Sequence, residues 1–192
     1  MIDQILQYDT DLFLYLNNLG NHTWDGFWMF YTTKYYWLPF YAVLVFLMFK
    51  RFTKKQFILI LLLVAFMITF TDQITNLFKH GLERLRPCHN EDIAGMMRLV
   101  KSSCGGKYGF FSGHASNSMS IAFFAGLMLK RYYRYLFPIL FIWAFFMGYS
   151  RIYIGVHYPL DVLCGMVFGT FSGVIFYYLF RYLSKKLLHV TF

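Results

Sequence analysis

A histidine and a carboxylate in the segment SRIYIGVHYPLD stand at a spacing that can turn the histidine into a nucleophile. Pro159 suits the first turn of a helix, so His157 precedes that helix and Asp161 lies within its first turn. Across four residues, the Asp161 carboxylate can reach one ring nitrogen, fix the tautomer and leave the other nitrogen with an exposed lone pair. Arg151 adds a fork of donors to the same segment. The alternative interpretation is a buried His–Asp pair that only joins two helices.

A second histidine precedes an apolar stretch in YGFFSGHASNSMS. Ser112 and Gly113 can cap a helix whose first free amides point at whatever lies beside them, and such a helix N-terminus is a ready site for an anion. His114 then lies in the first turn of that helix. By itself, a histidine in this position is more often a hydrogen-bonded structural residue than a catalyst.

A third group is cationic and lies in KHGLERLRP. Lys79 and Arg86 are seven residues apart, so a continuing helix would place both on one side, and Asp72 extends the same stripe. Ionisable residues inside a membrane are costly and usually face a bundle interior or a wet cavity. Pro87 is predicted to end the helix, because it lacks an amide hydrogen and disfavours helix at the residue before it. These cations fit an anion site or, as the alternative, the binding of lipid headgroups.

The composition indicates that membrane helices position these segments. Among 192 residues, 58% are hydrophobic and 14% are charged, compared with roughly 45–50% and about 25% in soluble domains. A single domain over residues 1–192 is expected at this length. The net charge of +9 would also suit a nucleic-acid partner, but the basic residues lie in short clusters between apolar runs. That arrangement favours membrane topology and no nucleic-acid binding.

Five apolar runs predict the crossings, and they occupy residues 35–49, 57–71, 118–130, 135–149 and 159–180. Several runs are shorter than the ~20 residues that span a bilayer, so flanking polar residues must extend the helices. In the last run, Gly165, Gly169 and Gly173 form a ridge that lets another helix pack closely.

The N-terminal segment has a different pattern. Apolar residues recur there near helical spacing, at Ile2, Ile5, Leu6, Phe13 and Leu16. Asp3, Asp9 and Asp11 are set among them, which predicts an amphipathic helix in the outer interface. The expected fold is therefore an all-α, polytopic membrane helix bundle with about five transmembrane helices plus an N-terminal amphipathic interfacial helix.

Three basic clusters determine the predicted orientation, and they lie at residues 50–55, 130–134 and 181–186. Because they fall at alternate ends of the five runs, one topology places all three inside, with the N-terminus outside and the C-terminus inside. The connections 79–113 and 150–158 then lie together outside. Three cations, two histidines and one carboxylate thereby share one face. Phosphoryl transfer requires such a set, namely a clamp for oxygens, a nucleophile and an acid for the leaving oxygen.

Taken in order along the chain, these segments resemble the type-2 phosphatidic acid phosphatase superfamily, whose site is shared with the vanadium haloperoxidases. The family pattern is K-x6-R-P, then P-S-G-H, then S-R-x5-H-x3-D, and the three segments match it in the same order. The resemblance covers about residues 57–180. Phe111 stands where the family usually has proline, which should affect loop rigidity more than chemistry. An expected sixth crossing is replaced by the amphipathic N-terminus.

The resemblance implies the mechanism of a metal-independent lipid phosphatase. His157 attacks phosphorus and becomes phosphohistidine, Asp161 orients it, and His114 protonates the departing oxygen and later activates water. The phosphate oxygens are held by Lys79, Arg86, Arg151 and the amides of Ser112 and Gly113. No metal or other cofactor is implied, and the sequence offers no carboxylate cluster that would bind magnesium.

An outward-facing site at a bilayer surface suits an amphiphilic phosphate, and the residues do not choose among phosphatidylglycerol phosphate, undecaprenyl diphosphate, phosphatidic acid and lipid A. The expected location is a bacterial inner membrane with the site facing the periplasm. The expected partners are the phosphorylated lipid and membrane lipids, with no protein partner. A halide-oxidising vanadate enzyme would use the same site, although those relatives are soluble. A non-catalytic lipid-phosphate-binding or transport protein would keep the cations without needing the His157–Asp161 pair.

Two cysteines, Cys88 and Cys104, fall in the same outside connection, whereas Cys164 lies within a crossing. In an oxidising compartment, the first two form either a disulfide or two free thiols, and the sequence leaves both open. A zinc site that combines these cysteines with His80 or His89 lacks a standard spacing.

Overall fold

The computed structural model describes residues 1–189. Within this range the regular structure is helical, apart from one isolated antiparallel bridge between Leu85 and Tyr108. The α-helices are α1 Ile2–Asn18, α2 His22–Thr32, α3 Leu38–Arg51, α4 Lys54–Leu82, α5 Gly113–Leu129, α6 Leu136–Tyr153 and α7 Pro159–Leu188. Short 3₁₀ turns cover Lys34–Trp37, Pro87–His89 and Glu91–Ile93. The predicted all-α class is confirmed for the part of the chain that the structure describes.

Three helices, α4, α6 and α7, are long and apolar enough to cross a membrane. The most apolar part of α4 has a mean hydropathy of 2.3, yet only 22% of it is buried inside the protein. Such exposed apolar surface is costly in water, so this helix requires a lipid environment. The helices α3 and α5 have 14 and 17 residues, which is shorter than the ~20 that span a bilayer. The count of five crossings therefore stays a prediction.

The glycine ridge of α7 packs directly on the backbone of α5. A Cβ atom added to Gly169 would lie 2.2 Å from the carbonyl oxygen of Ser116. Gly165 and Gly173 approach the carbonyl oxygens of Ser112 and Ser120 almost as closely, since their added Cβ atoms would lie 2.6 Å from them. No larger residue fits at these distances, so the predicted close packing is confirmed. The ridge holds the N-terminal ends of α5 and α7 side by side, and both ends belong to the predicted site.

The predicted N-terminal helix is present as α1, and a buried asparagine fastens it to the bundle. Asn17 is fully buried, and its side-chain amide donates to the carbonyls of Arg98, Ile152 and Tyr153 at 3.0, 3.2 and 2.9 Å. Its side-chain oxygen accepts the amide of Arg98 at 2.7 Å. The first helix is therefore tied to the end of α6 that leads into the predicted site. Its location in the membrane interface stays a prediction.

The sequence did not predict the short helix α2. Asn21 caps its start by accepting the amide of Trp24 at 3.3 Å. Asp25, in its first turn, accepts two bonds from Arg98 at 2.8 and 2.9 Å. The helix thus depends on an ion pair with a residue far along the chain, which local periodicity does not reveal.

The three basic clusters meet at one end of the bundle. Arg51 donates through Nε to the hydroxyl of Tyr133 at 3.2 Å, and Gln56 donates to the hydroxyl of Ser184 at 3.1 Å. The other end gathers the C-terminal ends of α4 and α6 with the N-terminal ends of α5 and α7. The two connections predicted to share a side of the membrane therefore do lie together. Their orientation toward the outside stays a prediction.

Candidate active site

A cavity of about 580 Å³ opens where the three motif segments meet. Of the residues predicted for the site, its lining includes Lys79, Arg86, Gly113, His114, Arg151 and His157. Ser112 and Asp161 lie behind this lining, and both are fully buried. Segments that are far apart in the sequence therefore share one cavity, and its volume is within the range of sites for small molecules, ~300–1,000 Å³.

The buried imidazole of His157 lies in the connection between α6 and α7. Its Nδ1 is 3.4 Å from Oδ2 of Asp161, and that oxygen also accepts the amide of Tyr158 at 3.1 Å. Because Nδ1 faces the carboxylate, Nε2 is the nitrogen left for the cavity. Burial lowers the pKa of His157 well below its usual 6.5, and the neighbouring cations of the site lower it further. The ring is therefore neutral at neutral pH and keeps a lone pair for attack.

Arg84, which the sequence did not single out, ties Asp161 to the N-terminal helix. Its Nη1 donates to Oδ1 of Asp161 at 2.7 Å, and its Nη2 donates to Oδ2 of Asp9. The guanidinium also lies 4.3 Å from the centre of the Tyr158 ring. Asp9 accepts a further bond, of 2.7 Å, from the amide of Leu160. Burial works against the charge, yet the two carboxylates raise the pKa of Arg84, so this bridging residue is a permanent cation.

A signal for the Asp9 contact was present in α1. Asp9, Phe13 and Asn17 follow one another at four-residue intervals and form the buried stripe of the helix. Two polar residues on a buried stripe require partners, because an unpaired buried polar group is costly. The spacing could therefore have marked Asp9 as a residue with a partner, although not which partner it has.

The cationic segment is not the continuing helix that the sequence predicted. Helix α4 ends at Leu82, and Glu83 takes a left-handed conformation with φ of 50°. The prediction that Pro87 ends the helix is therefore wrong. Pro87 instead begins a separate 3₁₀ turn. Lys79 belongs to the last turn of α4, whereas Arg86 lies in an extended segment. Both line the cavity all the same.

Arg86 is held by the loop that returns toward α5. Its amide donates to the carbonyl of Lys107 at 3.1 Å, and its side chain donates to the carbonyls of Tyr108 at 3.1 Å and Cys104 at 2.9 Å. A disulfide joins Cys88 to Cys104, with their Cα atoms 6.0 Å apart. Two donors of the guanidinium, Nε and Nη1, are thus fixed by backbone carbonyls. The remaining N–H groups are left for the cavity that Arg86 lines.

Gly109 leaves the space in which three site residues meet. A Cβ atom here would lie 3.1 Å from Cγ of Arg86, 3.1 Å from Oδ2 of Asp161 and 3.5 Å from Nδ1 of His157. The Gly109 amide donates to the carbonyl of Arg84 at 2.8 Å. A side chain at this position would push the carboxylate or the cation out of place. This role of Gly109 was not predicted from the sequence.

The start of α5 differs from the predicted anion site in one respect. Ser112 holds the N-cap position, but its amide donates to the backbone carbonyl of Asp161 at 2.9 Å. The prediction that this amide binds phosphate is therefore wrong, because its hydrogen is already used. Among residues 1–189 the hydroxyl of Ser112 has no hydrogen-bond partner, so its hydrogen-bonding capacity is unused, although it lies behind the cavity lining. Gly113 lines the cavity, and the Lys79 ammonium is 3.9 Å from where a Cβ of this glycine would be.

Arg151 is a buried cation that no carboxylate in residues 1–189 neutralises. Its side chain is only 5% exposed, and its Nη1 donates to the hydroxyl of Thr32 at 2.6 Å. Its Nε is buried and has no hydrogen-bond partner in the described part of the chain. A buried, unpaired guanidinium is costly unless an anion binds it, so this residue favours an anionic ligand in the cavity.

The same range of residues offers no group of three or more histidine, cysteine or acidic side chains that could hold a metal ion. The zinc alternative finds no support here, because Cys88 and Cys104 are bonded to each other and a ring nitrogen of His89 lies 3.4 Å from the carbonyl oxygen of Gly105. The arrangement instead combines clustered cations, a neutral buried imidazole and a second histidine. Together they can hold a phosphate and attack it.

Comparison with known proteins gives consistent matches along most of the chain. Residues 58–185 match the model of the PAP2 superfamily. The chain is 36% identical to the lipid A 4'-phosphatase of Bacteroides thetaiotaomicron, over 97% of this chain and 83% of that protein. It is 28% identical to the undecaprenyl-diphosphatase of Sulfolobus acidocaldarius, over 90% of this chain and 79% of that protein. The crystal structure of Aquifex aeolicus LpxE matches with a TM-score of 0.64 at 26% identity, covering 87% of this chain and 93% of that chain.

Proposed function

Because this chain belongs to the PAP2 superfamily and is an integral membrane lipid phosphatase, we propose that it hydrolyses lipid phosphates through a covalent phosphohistidine. The observation that carries this mechanism is the buried imidazole of His157. Its Nδ1 faces Asp161 at 3.4 Å, and the residue lines the cavity. A neutral ring with one nitrogen oriented and the other free is the arrangement that a nucleophilic histidine requires.

The reaction is a double displacement. In the first step, the lone pair of His157 Nε2 forms the nitrogen–phosphorus bond while the bond from phosphorus to the lipid oxygen breaks. His114, which carries a proton once the anionic phosphate is bound, donates this proton to that oxygen; the lipid alcohol leaves and His114 becomes neutral. In the second step, His114 takes a proton from water, the water oxygen attacks phosphorus, and the bond to His157 breaks. Asp161 stabilises the positive ring that exists between the two steps.

The groups that we assign to the phosphate come from four segments. They are Lys79, Arg86, Arg151, the amide of Gly113 and the hydroxyl of Ser112. Cations placed where charge develops are the main means by which proteins stabilise a transferring phosphoryl group. The unpaired Arg151 and the unpaired Ser112 hydroxyl support this role, because each has hydrogen-bonding capacity that nothing else in the described structure uses.

The lipid part of the substrate has a path beside the cavity. Tyr41 and Ile121 line both the cavity and an adjacent apolar groove of about 140 Å³. The remaining lining of this groove comes from α3, α4 and α5 and consists of Leu44, Val45, Met48, Val64, Met67, Phe124 and Ala125. A hydrocarbon chain in this groove would leave its phosphate at the cations.

Lipid A is the substrate that we place first, because the relative that is 36% identical over 97% of this chain is a lipid A 4'-phosphatase. Undecaprenyl diphosphate, phosphatidylglycerol phosphate and phosphatidic acid complete the panel. We further propose a bacterial inner membrane as the location, with the cavity facing the periplasm. Phosphate release by purified protein in mixed micelles, measured separately on each of the four lipids, tests the choice of substrate.

The mechanism is tested by His157→Ala in a rapid-quench experiment with phosphate-labelled lipid. We expect no hydrolysis and no covalent phosphoenzyme, while the lipid still binds to the remaining cations. Vanadate should inhibit the parent protein by occupying the phosphate clamp. Turnover near the parent level in His157→Ala would overturn the mechanism. Binding of lipid phosphate without any release by the parent protein would instead favour the non-catalytic lipid-binding alternative.

A further inference from the structure

Two lysines outside the three motif segments also line the cavity. Lys34 begins the 3₁₀ turn before α3, and Lys101 lies in the long connection before α5. Neither forms an ion pair with a carboxylate in the part of the chain that the structure describes. The Lys34 ammonium lies 5.4 Å from the centre of the Tyr35 ring, and it donates no hydrogen bond to any of residues 1–189. The phosphate clamp does not account for either residue.

Both lysines are attached to the end of α6 that carries Arg151. The Nη1 of Arg151 donates to Thr32 at 2.6 Å, two residues before Lys34. The amide of Val100, the residue before Lys101, donates to the carbonyl of Ile154 at 3.3 Å. These contacts hold the two lysines on the Arg151 side of the site. Burial lowers the pKa of Lys101, and the positive charges of Arg151 and Arg86 lower it further, as expected for a cation that shares their cavity.

The cavity has more positive charge than one phosphate can balance. The cations among its lining residues are Lys34, Lys79, Arg86, Lys101 and Arg151, and the carboxylate among them is Asp72. Five positive charges and one negative charge leave a net charge of +4 with both histidines neutral. A phosphate monoester carries only about −1.5 to −2 at pH 7. One bound phosphate therefore leaves roughly half of this charge without a counter-ion, and uncompensated charge in a partly buried site is costly.

We propose that Lys34 and Lys101 form a second anion subsite, which binds a further phosphate group of the same lipid substrate. This inference rests on the proposed function and narrows its substrate class to lipids that carry two phosphates, as a diphosphate or as two separate monoesters. The motif cations hold the phosphate that reacts, and the lysine pair holds the one that does not. A lipid with a single phosphate fills only the first of these positions.

The test compares two lipids that differ only in their second phosphate, such as lipid A with both phosphates and the same molecule without its 1-phosphate. Release of the 4'-phosphate is measured for the parent protein and for the double variant Lys34→Gln/Lys101→Gln. The preference of the parent for the doubly phosphorylated lipid, as a ratio of kcat/KM, should fall about tenfold or more in the variant, as expected for lost bonds to a charged group. The pair Lys54→Gln/Lys185→Gln removes the same charge at the opposite end of the bundle and should keep the parent ratio.

Binding of the two lipids to His157→Ala, with and without the lysine substitutions, separates this inference from the proposed function. A lysine-dependent preference in binding supports the subsite even if the parent protein releases no phosphate. An equal loss with both lipids, or a ratio that the lysine substitutions leave unchanged, would overturn it. Inorganic phosphate in millimolar amounts is the last comparison. If it speeds up turnover of the singly phosphorylated lipid in the parent protein but not in the double variant, the subsite takes a separate anion, and the assignment to the substrate is wrong.

Discussion

Arg84 donates a 2.7 Å hydrogen bond to Asp161, so the carboxylate that faces His157 is also the partner of a half-buried arginine. With Arg84 alone, Asp161 would belong to a neutral pair, and a neutral pair gives little support to the positive ring of a phosphohistidine. Asp9 accepts a hydrogen bond from the other terminal nitrogen of Arg84. The set of Asp9, Arg84 and Asp161 therefore has a net charge of −1. The N-terminal helix thus contributes a negative charge to the site without reaching the substrate.

The substitution Asp9→Asn should therefore lower kcat and leave KM for the lipid nearly unchanged. Asp9 acts through Arg84 on the charge and position of Asp161, and small misplacements of this kind cost about 10- to 100-fold in rate. The kcat and KM values of the purified variant provide the measurement, together with the amount of phosphoenzyme. Asp11→Asn is the matched control, because Asp11 is exposed on the same helix and accepts only from Gln7. A rise in KM with an unchanged kcat would contradict the positioning role.

The effect of His114→Ala should depend on the leaving group. General acid catalysis contributes about 10²–10⁴-fold, so hydrolysis of a lipid phosphate, whose alcohol leaves poorly, should fall by that amount. The aryl oxide of an aryl phosphate leaves without protonation, so with this substrate the rate of the first step should fall much less. Water activation would then limit turnover, so phosphohistidine should accumulate. Rates on both substrates and quench-flow detection of the phosphoenzyme provide the test. Equal losses in the rate of phosphoenzyme formation from the two substrates would exclude His114 as the acid.

In a plot of kcat/KM against pH, the loss of activity on the acid side should occur below pH 6.5. Burial and the neighbouring cations lower the pKa of His157, so the neutral ring persists as the pH falls through 6.5 and becomes protonated only at lower pH. Arg86 is one of these cations, so Arg86→Gln should raise that pKa and move the acid limb of kcat/KM to higher pH. The substrate titrates as well, but its ionisation does not move with the substitution. An acid limb at the same pH in both proteins would show that His157 does not determine it.

Orientation in the membrane gives a separate prediction. A reporter fused after Lys186 should be cytoplasmic, and a cysteine placed at Asn90 should react with a membrane-impermeant reagent added outside intact cells, because the basic clusters mark the inner side. The measurement compares labelling before and after permeabilisation. Labelling of position 90 only after permeabilisation would reverse the orientation and with it the proposed compartment.

The disulfide should be detectable in protein that has not been reduced. Alkylation without reductant should modify Cys164 but neither Cys88 nor Cys104, and mass spectrometry identifies the labelled residues. Cys104→Ser should lower the free energy of unfolding by about 2–4 kcal/mol, since a crosslink restricts the unfolded chain. It should also weaken phosphate binding, because the Cys104 carbonyl holds the Arg86 side chain. Cys164→Ser is the control. Alkylation of all three thiols without reductant would show that no bridge forms.

The parts of the site that could be predicted are those fixed by local spacing. His157 and Asp161 are separated by one helical turn, so the sequence alone places them together. Arg84 and Asp9 are 75 residues apart, and their contact depends on how α1 packs against the start of α7. Spacing within one segment does not contain that information.

The end of α4 is a second feature that depends on contacts with a distant segment. The apolar run and its polar continuation predicted α4, but its end at Leu82 was missed because Pro87 was the stronger local signal for termination. In the structure, Glu83 turns the chain first, and the following residues pair with the loop at Lys107 and Gly109. A pairing across the loop replaces the last helical turns, and it cannot be read from the segment alone. The glycine ridge of α7, by contrast, was predicted, because its spacing is local and its need for close packing is intrinsic.

The contacts of α1 also have a consequence for biosynthesis. Asp9 accepts the amide of Leu160, and Asn17 binds the carbonyls of Ile152 and Tyr153. These bonds of α1 therefore form only after the end of α6 and the start of α7 have been synthesised, and chains grow at about 5–20 residues per second. Until then the nascent chain has the proposed phosphate-binding cations of α4 and its loop, but the proposed nucleophile is missing or lacks the support of α1. We therefore expect activity only after α1 has packed against the start of α7, and we expect fragments that stop before α7 to be inactive in the membrane.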